Sequence, residues 1–168
     1  MAGADTPPLE LVVLVGLQAS GKSSFYRERF APTHAHVSGD LLRNNRRPAR
    51  RQQQLVDEAL AQGRSVVLDN TNAPAAARTP YLELARRHGA AAVAYFFTPD
   101  LEACLERNAA RAGKARVPAV ALYATRKKLE PPAFAEGFAR IFDVELSPEG
   151  GFRVAERPRP EASPAGPR

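Results

Sequence analysis

The sequence predicts an α/β domain in which a parallel sheet of about five short strands is covered by helices on both faces. Three observations carry this expectation. Short runs of Val, Leu and Ala recur along the chain without polar alternation, the pattern of strands buried on both faces. A stretch with helical signals follows nearly every run, and alternation of this kind is the sequence form of a parallel sheet with crossover helices. The length of 168 residues suits one such domain with its own core.

The first strand covers residues 11–15, and a glycine-bearing turn leads from it into a helix over 22–30. Residues 35–38 read as a short second strand, and 51–61 as a helix closed by Gly63. The third strand covers 65–68 and ends in Asp69, Asn70, Thr71 and Asn72. Thr79 and Pro80 then read as the cap and first-turn proline of a helix that Gly89 ends. Residues 91–97 supply the fourth strand, after which Thr98 and Pro99 repeat the same opening for a helix reaching about 110.

Residues 111–117 hold Gly113 beside Arg111, Lys114 and Arg116, which breaks the pattern and predicts a mobile loop. Pro118 starts a last helix to about 129, and 141–146 form the fifth strand. The folded domain is therefore expected to span 10–155. Residues 1–9 are expected to be flexible. Residues 156–168, rich in Pro and Arg and poor in large apolar side chains, are expected to form a disordered tail.

Lys and Arg total 24 against 18 Asp and Glu, giving a net charge of +6 and a sequence pI near 10.0. Such a surface attracts polyanions at low salt, so nucleic acid is a plausible partner class. No apolar run approaches the roughly 20 residues that cross a bilayer. The N-terminus shows no basic stretch followed by an apolar leader, and a cytoplasmic protein without membrane contact is expected. Nothing in the chain suggests a protein partner. Cys104 is the only cysteine; it forms no internal disulfide, and its place in a helical pattern suits a packed core thiol.

Gly16, Leu17, Gln18, Ala19, Ser20, Gly21, Lys22 and Ser23 match the G-x-x-x-x-G-K-[ST] phosphate-loop pattern, between an expected strand and an expected helix. Glycines let such a loop curl so that successive backbone N–H groups point at a phosphate, and the helix that follows adds its positive end. In this reading Gly16, Gln18, Ala19, Ser20, Gly21, Lys22, Ser23 and Ser24 bind the nucleotide. Lys22 bridges the β- and γ-phosphates, and the Ser23 hydroxyl joins the shell of Mg²⁺. No Asn-Lys-x-Asp guanine reader is present, which favours ATP over GTP.

Asp40 follows the second strand, and ligands of open α/β sheets bind beyond the carboxyl ends of the strands. A carboxylate there is able to take the proton of an attacking hydroxyl; the alternative is a cap on a helix beginning at Leu41. Arg43, three residues on, is placed to orient that carboxylate or to meet a phosphate of the acceptor. Arg46, Arg47, Arg50 and Arg51 make the next stretch the most basic of the chain, either a solvated helix face or a track for a phosphodiester backbone. Asp69 is positioned for the metal or the loop serine, or else forms a turn. Arg107 and Arg111, four apart on one helical face, are placed to reach over the triphosphate. His34 and His36 share one side of a strand but lack a third ligand for a metal.

These blocks together resemble the kinase domain of polynucleotide 5′-hydroxyl kinases, phage and animal. The resemblance rests on the phosphate loop, then Gly39-Asp40-x-x-Arg43, Asp69-Asn70-Thr71-Asn72, Arg107-Asn108-x-x-Arg111 and Val117-Pro118. It continues through Arg126-Lys127-Lys128-Leu129-Glu130-x-Pro132 and Glu136-Gly137-Phe138 and covers roughly 10–146. It implies a P-loop NTPase three-layer sandwich of adenylate-kinase type, with a small lid at about 111–117. It also implies transfer of the γ-phosphate of ATP to a 5′-OH of DNA or RNA, with Asp40 as general base and Arg43 on the acceptor phosphate. Lys22, Ser23 and Arg111 then serve the donor. Gly39 stands where that family usually carries Arg. A P-loop kinase of a small molecule or nucleoside, and a nucleotide-binding interaction module, are the alternatives for the same donor site.

Overall fold

The computed structural model describes residues 7–42 and 44–160. Six strands form one sheet: β1 (Glu10–Val15), β2 (Ala35–Ser38), β3 (Val66–Asp69), β4 (Ala91–Phe97), β5 (Arg140–Leu146) and β6 (Phe152–Glu156), in the order β2-β3-β1-β4-β5-β6. The first five are parallel and β6 is antiparallel to β5. The helices are α1 (Lys22–Arg29), α2 (Pro48–Ala61), α3 (Ala75–Arg87), α4 (Leu101–Ala110) and α5 (Ala119–Lys128).

Alternate residues of the central strands face opposite layers. Leu11, Val13 and Val15 of β1 pack with Val56 and Leu60 of α2 and with Tyr81 and Leu84 of α3. Val12 and Leu14 point the other way, onto Phe25, Tyr26 and Phe30 of the α1 segment. Both faces being covered is why the strands read as unbroken apolar runs. A third, smaller cluster joins Leu17 and Ala19 of the phosphate loop to Cys104 of α4 and Leu122 of α5. The connection after β1 runs toward β2 while that after β4 runs toward β5, so a crevice opens between β1 and β4 at their carboxyl ends.

Three boundaries differ from expectation. Helix α3 begins at Ala75, so Pro80 lies inside it instead of in its first turn. The run Ala75-Ala76-Ala77 is strongly helix-forming and outweighs the one backbone bond that Pro80 cannot donate. Thr79 is not the cap; its Oγ1 donates to Ala75 O at 3.2 Å. Helix α4 begins at Leu101 with Asp100 as its cap, the carboxylate accepting from Ala103 N at 3.0 Å, in place of Thr98 and Pro99. Helix α2 starts a turn early, with Pro48 in its first turn.

Strand β6 was not anticipated. It alternates Phe152 and Val154 inward with Arg153 and Ala155 outward, a half-buried edge pattern too short to stand out beside a Pro- and Arg-rich stretch. Glu156, expected in the tail, pairs with Arg140, and Arg157 donates to Asp143 and to Pro132 O. The tail positions from 161 on, and the N-terminal positions 1–6, lie outside the described residues. Leu9, expected to be flexible, packs against the core and accepts a bond from Ala91 N. No described helix is long and apolar enough to cross a membrane.

Candidate active site

The loop between β1 and α1 turns tightly because the space around it demands glycine. A Cβ on Gly16 would lie 2.8 Å from the Phe97 Cβ, and Gly21 sits at φ +98°, a left-handed conformation. Ala19 at φ 62° completes the curl. The loop delivers the chain to the N-terminus of α1, whose unpaired N–H groups and dipole favour an anion. Phe152 of β6 lies directly behind Gly21, with its Cε1 3.1 Å from where a Cβ would stand.

Lys22 is buried, and its ammonium donates to Gly16 O at 3.0 Å and Leu17 O at 2.6 Å. Burial lowers its pKa from 10.5 to about 8, against the pull of the Asp69 carboxylate. Ser23 Oγ donates to Asp69 Oδ2 at 2.7 Å. Burial alone pushes the Asp69 carboxyl up, but bonds from His36 and Ser23 and the charge of Lys22 outweigh it and hold the group below its ordinary value.

One cleft, of about 330 Å³, brings the loop residues together with the acceptor-side candidates. Gln18, Ala19, Gly21, Lys22, Ser23 and Ser24 line it with Asp40, Asp69 and Arg111. Asp40 lies in a 3₁₀ turn, Gly39–Leu42, and caps no α-helix starting at Leu41. That turn is held in place from β3 by Asn70, whose Oδ1 accepts from Gly39 N at 2.7 Å while its amide donates to Gln52 of α2. Arg43 lies outside the described residues. Beyond Asp40 the surface continues into a hollow lined by Leu41, Leu42, Asn44, Asn45 and Lys114, and then into one lined by Asn45, Arg46 and Arg47.

The two arginines expected to act together occupy different places. Arg107 Nε donates to Ala19 O at 2.6 Å, bracing the loop, and its guanidinium faces a separate, larger cleft of about 940 Å³. That cleft lies between the start of α4 at Pro99 and Asp100 and the β5–β6 turn at Ser147 and Pro148. Arg111 lines the phosphate cleft and donates to Ala115 O at 3.3 Å. The segment expected as a lid is a single 3₁₀ turn, Gly113–Ala115, and Asn108 ties its far end by bonds to both backbone groups of Val117.

Arg27 and Asn70 carry no role in the sequence expectation, and His36 stands there only as a rejected metal ligand. Arg27 lines the phosphate cleft one turn after Ser23, a spacing of four that was available in the sequence. Asn70 supports the Asp40 turn, and His36 contacts Asp69. Nothing local marks these two, since their partners come from other elements. Gln18 donates to Thr125 Oγ1 at 2.9 Å, and its buried Oε1 has no partner among the described residues.

The donor set fits a magnesium–nucleotide complex. Ser23 gives its proton to an ionised Asp69, which leaves the hydroxyl lone pairs for a hard cation, and both side chains offer oxygen ligands. The N–H groups at the start of α1 and the Lys22 ammonium face the side where phosphates would sit.

A phosphate loop at the crevice of a parallel sheet, with a Ser–Asp pair and an opposed carboxylate, makes this a P-loop kinase domain. The chain belongs to the AAA domain family, whose model matches residues 11–132. Among similar proteins is a putative bifunctional polynucleotide phosphatase/kinase of Acanthamoeba polyphaga mimivirus. It is 31% identical over 80 residues, 47% of this chain and 18% of that protein. The bifunctional polynucleotide phosphatase/kinase of Schizosaccharomyces pombe is 25% identical over 139 residues, 80% of this chain and 33% of that protein. The chain thus spans a third or less of the length of both. A gluconokinase from Sinorhizobium meliloti shares the fold with a TM-score of 0.59 and 24% identity, the match covering 82% of each chain.

Proposed function

We propose that this domain transfers the γ-phosphate of ATP to the 5′-hydroxyl of a polynucleotide, DNA or RNA. The observation that carries the reading is that Asp40 lines one cleft with Lys22, Ser23 and Arg111, so a hydroxyl beside the carboxylate faces the end of a phosphate chain. Asp40 accepts the proton of that hydroxyl as its oxygen bonds to the γ-phosphorus, and the bond from that phosphorus to the β–γ bridging oxygen breaks to release ADP. Lys22 and Arg111 stabilise the charge shifting toward the leaving phosphate. Mg²⁺ bound with ATP supplies further neutralisation of the phosphate oxygens. The nucleoside of the donor fits the larger cleft beside Arg107. Arg43 is assigned to the acceptor phosphate by resemblance.

Support for a polyanionic acceptor comes from α2. Arg47 is its cap residue, Arg50 and Arg51 stand in its first turn, no acidic residue stands in that turn, and Arg51 reaches Glu58, two turns on, at 3.7 Å. Cations at the positive end of a helix cost about 0.3–1 kcal/mol each. Their cost to the fold is offset if they meet phosphates, and the hollow at Arg46 and Arg47 continues from the one at Asp40.

The test is incubation with γ-labelled ATP and a panel of 5′-OH oligonucleotides, mononucleotides, sugars and other small metabolites. Label at the 5′ ends of oligonucleotides, lost in Asp40→Asn, supports the proposal. Label confined to a small molecule replaces it with a small-molecule kinase using the same donor site. Nucleotide binding with no acceptor labelled replaces it with an interaction module.

A further inference from the structure

Among the residues outside the cleft, His36 has the most direct line into it. It stands in the middle of β2 with its Nε2 2.8 Å from Asp69 Oδ2, the same oxygen that accepts the Ser23 hydroxyl at 2.7 Å. Its side chain is 24% exposed and that of Asp69 only 3%. The imidazole lies flat against the Tyr26 ring, centroids 4.0 Å apart and planes 14° from parallel. The Tyr26 hydroxyl is in turn held by His34 O at 2.7 Å. The ring is therefore fixed by its strand, by a stacked neighbour and by one hydrogen bond. His36 does not line the phosphate cleft, so any effect it has on chemistry passes through Asp69.

We infer that His36 is a positioning residue that sets the orientation of Asp69, and through it of the Ser23 hydroxyl, for the metal that accompanies the nucleotide. An ionised carboxylate only accepts, so Nε2 carries the proton and donates it. With Oδ2 receiving both the imidazole N–H and the Ser23 O–H, the carboxylate plane has one arrangement. The second carboxylate oxygen and the lone pairs of Ser23 would then be available to the metal. Partners behind a metal-ligating group typically change metal affinity 10–100-fold when removed. The two parts come from different elements: β2 supplies the imidazole, β3 the carboxylate, paired in register at Ser38 and Asp69. A structural role for His36 predicts loss of stability alone, whereas this role predicts loss of metal coupling.

The inference rests on the proposed nucleotide site, and the experiment separates the two. The affinity of a fluorescent ATP analogue is measured in EDTA and in excess Mg²⁺ for the wild type, His36→Ala, His36→Gln and Asp69→Asn. His36→Ala is expected to bind the analogue in EDTA as the wild type does, and to lose about tenfold of the tightening that Mg²⁺ brings. His36→Gln, whose amide N–H reaches a similar position, is expected to recover part of it. His36→Ala added to Asp69→Asn is expected to change nothing further. Equal weakening with and without Mg²⁺, or an undiminished response to Mg²⁺ in His36→Ala, overturns the inference while leaving the nucleotide site standing. If His36→Ala does not fold, a full Mg²⁺ response in His36→Phe, which keeps a ring against Tyr26 but has no N–H to donate, overturns it equally. Absence of analogue binding by the wild type in both conditions overturns the nucleotide site itself.

Discussion

Lys22 shows how a single side chain carries both stability and binding. Its pKa near 8 lies below the unfolded value of 10.5, so between those values the unfolded chain holds more protons and the fold gains stability as pH rises. Phosphates favour the charged form. ATP affinity should therefore be nearly flat below about pH 8 and fall above it, and binding at pH 9 should take up a proton. Calorimetric titrations in two buffers of different ionisation enthalpy measure both. Lys22→Ala should leave the fold intact and lower turnover by about 10² to 10³. For Asp40 the separating substitution is Asn, which keeps shape. If Asp40 is the base, Asp40→Asn folds and binds ATP normally yet loses at least about 10² in kcat. Undiminished kcat with an oligonucleotide removes Asp40 from the mechanism.

At the scale of the element, α2 sets its own stability against binding. Arg47→Ser supplies a side-chain cap worth about 1 kcal/mol, and Arg50→Glu replaces a repelled charge with a favoured one worth about 0.3–1 kcal/mol. The pair should raise the unfolding midpoint in urea while weakening oligonucleotide binding. Replacing two of Arg46, Arg47, Arg50 and Arg51 with Ala should also flatten the salt dependence of that binding, by about 0.7 in log–log slope for each lost single-strand contact. An unchanged slope assigns the arginines to a solvated face. Elements were legible where periodicity and punctuation agreed, as in β1, β4 and α1. They slipped by about a turn at α3 and by two residues at α4, because Thr-Pro is a helix opening only when no neighbouring residue opens the helix better. Three alanines before Thr79 already start it, and Asp100 after Pro99 is the better cap.

For the molecule as a whole, Arg78 is the clearest organiser. It is fully buried, donates from Nε and Nη2 to both oxygens of Glu136, and reaches Asn72 O, Ala73 O and Glu130 O through Nη1. It thereby ties the end of β3 to the segment that follows α5. Asn72 in turn donates to Leu14 O, and Gly16 N bonds to Thr71 O, so the same junction supports the phosphate loop. Arg78→Ala removes the ion pair from Glu136 and one donor from each of three carbonyls, of which Ala73 O keeps the Glu130 N–H, and should cost about 3–5 kcal/mol. Urea unfolding checks this, and a loss below about 1 kcal/mol means that water replaces the guanidinium. Strand β6 acts at the same scale, since Phe152 stacks edge-on against Phe25 at 5.0 Å and closes the space behind Gly21.

The sequence by itself determined the sheet of buried strands, the phosphate loop, the lysine and serine within it, and the acidic residues just after β2 and at the end of β3. Each of these is a local property: a run of apolar residues, a spacing of glycines, or a polar residue at a strand terminus. Only the tertiary structure decided which of them meet. It placed His36 on Asp69, Asn70 under the Asp40 turn, and Arg78 across the base of the loop, each through contacts between residues 31 or more apart or between separate elements. It also sent Arg107 and Arg111 to different clefts although they lie four residues apart, because Arg107 points back to Ala19 while Arg111 follows α4 to its end and turns with the chain. Spacing fixes which side chains share a helix face, but the packing of that helix against the loop fixes what each of them reaches.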